Sequence, residues 1–194
     1  MQDDPVVAVG VLDEVGGRAG LDLAAVEDGL DPLASPPEGG AIDAALCFAD
    51  VDSTAFERAR ERVEAILDRG EIETGTTADF VEDAHGYHWV VLHDSGFEDL
   101  VTSVHFAADT LVEEGFGSRL LAALFAFERD GTAAYWVYSF RRGAYYPFVP
   151  SGRRERDTQT EFKLDSVLDG ELTVEDDTEY WYPMWPEGDA HPWG

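Results

Sequence analysis

Three histidines fall within nine residues, His85, His88 and His93 in the stretch HGYHWVVLHD. Histidine both ligates zinc or iron and moves protons near neutral pH. Their spacing argues against a shared metal. On an extended strand His85 and His88 face opposite sides, and His85 and His93, which share a side, stand about 26 Å apart if the strand runs straight. Only a turn between them would bring the two together, and no cysteine partner or spaced Glu-His set completes a ligand group. The histidines are therefore read as structural. His105 precedes Asp109 by four residues, a helical spacing that suits a surface pair or an acid–base couple. Ser103 lies in no GxSxG elbow. The glycines of VEEGFGSRLL precede a strand-like run, where a dinucleotide loop needs a strand before it and a helix after it. Carboxylates are so abundant that spacing singles out no catalytic dyad. Cys47, the single cysteine, sits in AALCFAD as a small buried hydrophobe with no disulfide mate in the chain. No catalytic residue, metal site or cofactor is predicted.

A different concentration of chemistry lies at FRRGAYYPFVPSGRRERD, residues 140–157. The 13 basic residues are twelve arginines and Lys163, and five of the arginines are here, although the formal net charge is −28. Arg and Tyr are enriched at binding hot spots, so Arg141, Arg142, Tyr145, Tyr146, Phe148, Arg153 and Arg154 are candidates for a protein-contact surface. The alternative is that the aromatics fill the open end of the core while the arginines pair with neighbouring carboxylates. Both readings stand at this point.

The elements that must position these residues follow from periodicity and punctuation. Residues 1–40 are rich in Gly, Asp and Pro, with 27–40 as a linker; a single domain is expected over 41–186 and a tail over 187–194. AIDAALCFADVD supplies a first strand. Ser53 or Thr54 caps a helix with Glu57 at capping-box spacing, the stripe Phe56, Val63, Ile66 and Leu67, and a stop at Gly70. Residues 79–94 read as two strands divided by a turn near 83–86. A helix over 98–114 places Leu100, Val101, Val104, Ala108, Leu111 and Val112 on one face and ends before Gly115. RLLAALFAFER and AAYWVYSFRR, joined by Asp130-Gly131, form a hairpin. YYPFVP continues extended after a turn at Gly143. A third helix over 157–169 carries Phe162, Leu164, Val167 and Leu168 as buried positions. The end of the chain is aromatic, proline-rich and irregular, with its inner half packed on the domain. The fold class expected is α+β: a twisted antiparallel sheet packed with two to three helices.

Composition narrows the setting. With 41 Asp and Glu against 13 Lys and Arg, the surface suits concentrated salt, where a screening length of about 3 Å at 1 M weakens self-repulsion. A salt-loving source is expected. General nucleic-acid binding needs a broad basic face that this chain lacks. The longest apolar stretches are eight residues, far short of the ~18 that cross a bilayer, and no signal peptide is recognised. A cytoplasmic location is expected.

Taken together, HGYHWVVLHD (85–94), LVTSVHFAADTLVEEGFGSRLLAALFAF (100–127), YWVYSFRRGAYYPFVP (135–150), RRERDTQTEFKL (153–164) and WYPMWP (181–186) resemble the PspA-associated family PspAB. The EEGFG turn, the RRGAYYPFVP run and the closing aromatic-Pro-x-Trp carry the likeness jointly. It departs at the start, where the family's Gly-Leu-Leu-Asp opening is replaced by MQDDPVVAVG. The resemblance implies a non-enzymatic accessory of the phage-shock, envelope-stress system. Its partner would be PspA, a coiled-coil protein that assembles on membranes, and any membrane association would be peripheral and through that partner. No catalytic residues carry over. The element order is also similar to the small α+β fold of type III secretion chaperones and YbjN-like proteins. The rivals are an enzyme using His88 or His105 with a carboxylate, and a homodimer burying Trp181, Tyr182 and Trp185 against a twin subunit.

Overall fold

The strand IDAALCFA, Ile42–Ala49 (β1), is apolar at both parities, as suits the middle of a sheet covered on two sides. β1 holds that place in the computed structural model, which describes residues 42–83, 85–129, 132–168 and 172–185. It pairs antiparallel with β3 (Tyr87–Asp94) on one flank and β4 (Leu120–Arg129) on the other. With β2 (Thr77–Glu82), β5 (Thr132–Ser139) and β6 (Ala144–Phe148) these form a six-stranded antiparallel sheet in the order β2-β3-β1-β4-β5-β6. Three helices accompany it among the described residues, so the protein is α+β as expected. The linker 1–40, the Asp130-Gly131 turn and the tail 187–194 lie outside the described residues, although the pairing of Arg129 with Thr132 brings β4 and β5 together as a hairpin.

The turn between β2 and β3 is organised by one carboxylate. Asp83 accepts from the backbone N–H of His85 (2.8 Å) and Tyr87 (3.0 Å) and from the indole N–H of Trp89 (3.0 Å). Burial pushes its carboxyl up, but those three donors outweigh it and hold the group below its ordinary value.

Helix α1 (Thr54–Thr74) starts where Ser53 Oγ accepts from Phe56 N–H at 3.1 Å. Ser53 is the cap, so the third helical position is Phe56 and Glu57 stands one residue too late for the reciprocal arm of a capping box. The helix does not stop at Gly70. A Cβ there would meet only open space, so this glycine costs about 1 kcal/mol in a helix interior and breaks nothing. The terminator is Gly75, at φ 88°, a left-handed conformation that favours glycine. Helix α2 (Phe97–Glu113) ends at Gly115, φ 85°, close to expectation.

Both helices cover one face of the sheet. Phe56, Val63 and Leu67 of α1 and Leu100, Val104, Ala108 and Leu111 of α2 pack with Leu46, Phe48, Val90, Leu92, Phe125 and Tyr138 in the main core. Burying each large apolar side chain contributes about 1.5–3 kcal/mol. The opposite face, with Ala45, Cys47, Trp89, Leu124, Val137, Tyr146 and Phe148, packs against Val174, Trp181, Met184 and Trp185. The inner half of the aromatic C-terminal segment is thus a second cover, irregular apart from a short 3-10 turn at Thr178–Tyr180.

Candidate interaction surface

Five consecutive buried residues form β6. Each side chain has a face to fill: Tyr145 enters the helix-side core, while Tyr146 and Phe148 join the opposite one. An edge strand also presents unpaired backbone groups, which invite foreign strands. Here those groups are satisfied one by one. Tyr145 N–H donates to Thr173 O and Tyr145 O accepts from Glu175 N–H, both at 2.8 Å. Pro147, which has no N–H to satisfy, receives Arg156 Nη2 on its carbonyl at 3.5 Å. Val149 N–H donates to Glu161 Oε1 at 2.9 Å, and Val149 O accepts from Asp157 N–H at 2.8 Å.

Two arginines lock this edge. Arg142 makes a fork to both oxygens of Glu175 (2.6 and 3.1 Å) and lies 4.0 Å over the Tyr180 ring. The hydrogen bonds from Arg142 hold the Glu175 carboxyl below its ordinary value, against the upward push of burial. Arg156, the last residue of the short ribbon of β7 (Pro150–Gly152) and β8 (Glu155–Arg156), donates to Glu161 (2.9 and 3.2 Å) and to Trp181 O (2.6 Å), and covers the Phe148 ring at 5.2 Å. Glu161 belongs to α3 (Thr158–Leu168), capped by Asp157, whose carboxylate accepts from Thr160 N–H and hydroxyl. That cap, led by the Thr160 hydroxyl, keeps Asp157 below its ordinary value.

The arginine-aromatic segment therefore divides. Tyr145 (1% exposed), Tyr146 (3%) and Phe148 (0%), expected on a contact surface, are buried instead, because β6 is covered on both faces. Arg142, its side chain 39% exposed, is directed at the buried carboxylate of Glu175. Arg141, Arg153 and Arg154 are exposed and make no ion pair among the described residues. Arg141 precedes β6 and the Arg153-Arg154 turn follows it, and the five extended residues of β6 alone span roughly 16 Å.

Two aromatics beside this edge are exposed: the sequence reading missed Phe162 and offered Tyr182 only as a dimer contact. Phe162, expected to be buried on α3, is 52% exposed, and Tyr182 is 58% exposed. Both flank buried Trp181, with the Phe162 ring 5.7 Å from the Trp181 ring. The apolar stripe of α3 is occupied at this point by Glu161, only 1% exposed and needed by Val149 and Arg156, with Leu164 one turn on. A glutamate at an inward position is the signal that shifts the helix face by one residue.

A family model described as PspA associated protein B matches residues 37–193, which spans all of these elements. The chain belongs to the PspAB family. No curated protein and no solved structure matches it, so the likeness to secretion chaperones rests on element order alone.

In this PspAB chain the histidines stand apart. His85 lies in the β2–β3 turn. His88 is buried beside Phe48 (5.7 Å between rings), with Nε2 3.1 Å from Asp50. His93, on the other face, has Nδ1 2.5 Å from Asp43 and Nε2 3.6 Å from Asp79. No group of three or more metal-ligating residues occurs among the described residues. Cys47 is buried, and burial first, then the nearby Asp83 charge, pushes its thiol up to about 12, which makes it a poor nucleophile. Among the described residues no helix is long and apolar enough to cross a membrane.

Proposed function

We propose that this chain is a non-enzymatic, protein-binding accessory of a PspA-type envelope-stress system, working on the cytoplasmic side in a salt-rich cell. The observation that carries the reading is the family match over residues 37–193, whose description names association with PspA. Supporting it is the surface beside α3, where exposed Phe162 and Tyr182 lie next to the Arg156–Trp181 contact and Phe162 follows exposed Arg154 by eight residues. Exposed aromatics beside arginines are the side chains that most often dominate binding energy. In so acidic a molecule a local cationic site also steers an acidic partner to one place on the surface.

Affinity capture of the full chain from its own cells at native salt, read by mass spectrometry, tests this. Recovery of PspA, reduced by Phe162→Ser with Tyr182→Ser, is expected. A bait that returns without PspA overturns the proposal.

A further inference from the structure

The β7–β8 ribbon stands outside both hydrophobic cores. It forms its own two-stranded sheet, and Ser151, Gly152, Arg153, Arg154 and Glu155 are five consecutive exposed residues. Its base is fixed: Arg156 is forked onto Glu161 and Asp157 N–H is bonded to Val149 O. A ribbon held at its base and bare at its tip presents the tip.

At that tip Arg154 has φ 59°, the only positive φ of a non-glycine among the described residues. Turns of this kind ordinarily place Gly, Asn or Asp at such a position, because an L side chain with a Cβ is strained there. The neighbouring Arg153 is exposed too, and neither guanidinium makes an ion pair among the described residues. A residue that strains the backbone, stands exposed and makes no ion pair among the described residues is unexplained by their folding. Strain of this sort gathers at functional sites.

We propose that the Arg153-Arg154 turn is a fingertip that takes carboxylates from an acidic helix of the partner. This deepens the PspA reading and rests on it. The same chain shows the chemistry twice, since Arg142 and Arg156 each fork onto a glutamate. A helix offers carboxylates in rows with Cβ atoms about 5–6 Å apart at i, i+3 and i+4, a spacing that two adjacent arginines straddle. A helix is favoured over an anionic lipid surface because the tip is narrow and flanked by Glu155 and Asp157. A flat sheet of negative charge would meet those carboxylates together with the arginines, whereas a single helix meets the tip alone.

The test uses full-length protein, immobilised PspA from the same cells and, separately, phosphatidylglycerol vesicles. Arg154→Asn suits the left-handed backbone without the entropy cost of glycine, so its Tm is expected to rise by about 1–3 °C. Its affinity for PspA is expected to fall about tenfold, and Arg153→Ser with Arg154→Asn to fall further. A stabilised variant that binds more weakly is an outcome that structural damage does not produce. Equal binding by wild type and variants overturns the fingertip while the accessory reading stands. No binding of wild-type protein to PspA overturns both. Wild-type binding to the vesicles but not to PspA, lost in the variants, replaces the acidic helix with a membrane. A lower Tm for Arg154→Asn shows a packing role for the arginine and also overturns the proposal.

Discussion

The two edges of the sheet are treated in opposite ways. At β6 each outward backbone group at 145, 147 and 149 has a named partner, and two arginine forks tie α3 and the 172–185 segment across it. At β2 no strand pairs with the outer side among the described residues, and the edge carries Asp79, Glu82 and the half-exposed Val81. Both arrangements answer the same hazard, that an open edge recruits other strands. One edge is covered; the other carries exposed acidic side chains. The difference explains the arginine cluster: where an edge is covered by separate pieces of chain, charge-assisted hydrogen bonds hold those pieces, and inward arginines are needed in a protein that is otherwise negative.

If the covered edge is part of the core, Tyr146→Ala should cost about 3–5 kcal/mol in a denaturant titration at fixed salt. A loss below about 1 kcal/mol would mean that the C-terminal cover is only loosely applied. Glu161→Ala should come next, about 2–4 kcal/mol, because it leaves the buried Val149 N–H and the Arg156 guanidinium without their acceptor.

Acid should loosen the same edge first. The Glu175 and Asp157 carboxyls are held below their ordinary values of 4.5 and 3.8, so they favour folding above those values and lose that contribution as pH falls through their folded values. Protection factors for hydrogen exchange at the Tyr145 and Glu175 amides should therefore fall below about pH 4.5, before those of amides in β1 do. Uniform exchange along the sheet would contradict the comparison. The smallest effect is expected at the open edge: Val81→Lys should leave stability within about 0.5 kcal/mol, and a larger loss would show that β2 is covered too.

Much of the frame was legible in the residues. The strand at 42–49, the turn at 83–86, the α2 stripe and the β4–β5 hairpin follow from short-range patterns of apolar period and turn chemistry, which need no knowledge of distant partners. Cys47 as a buried hydrophobe was readable for the same reason. Errors came where a distant contact overrides a local one. Gly70 looked like a helix stop, yet nothing crowds it and Gly75 supplies the left-handed turn. Phe162 looked buried until Glu161, drawn inward by Val149 and Arg156, took its place. The tyrosines and Phe148 were readable either as a surface beside arginines or as filling for the open end of the core; they are interior because two covers meet over β6.

Local chemistry in the sequence thus determined the class of fold, the main elements, the family and the gathering of cations at 140–157. It could not determine which cations find a carboxylate. Arg142 and Arg156 find Glu175 and Glu161, 33 and 5 residues away, while Arg153 and Arg154 find no partner in the described chain. That division depends on which carboxylates and carbonyls the closed edge brings within about 3 Å, the range over which a guanidinium hydrogen bond forms, and only the tertiary structure sets those distances.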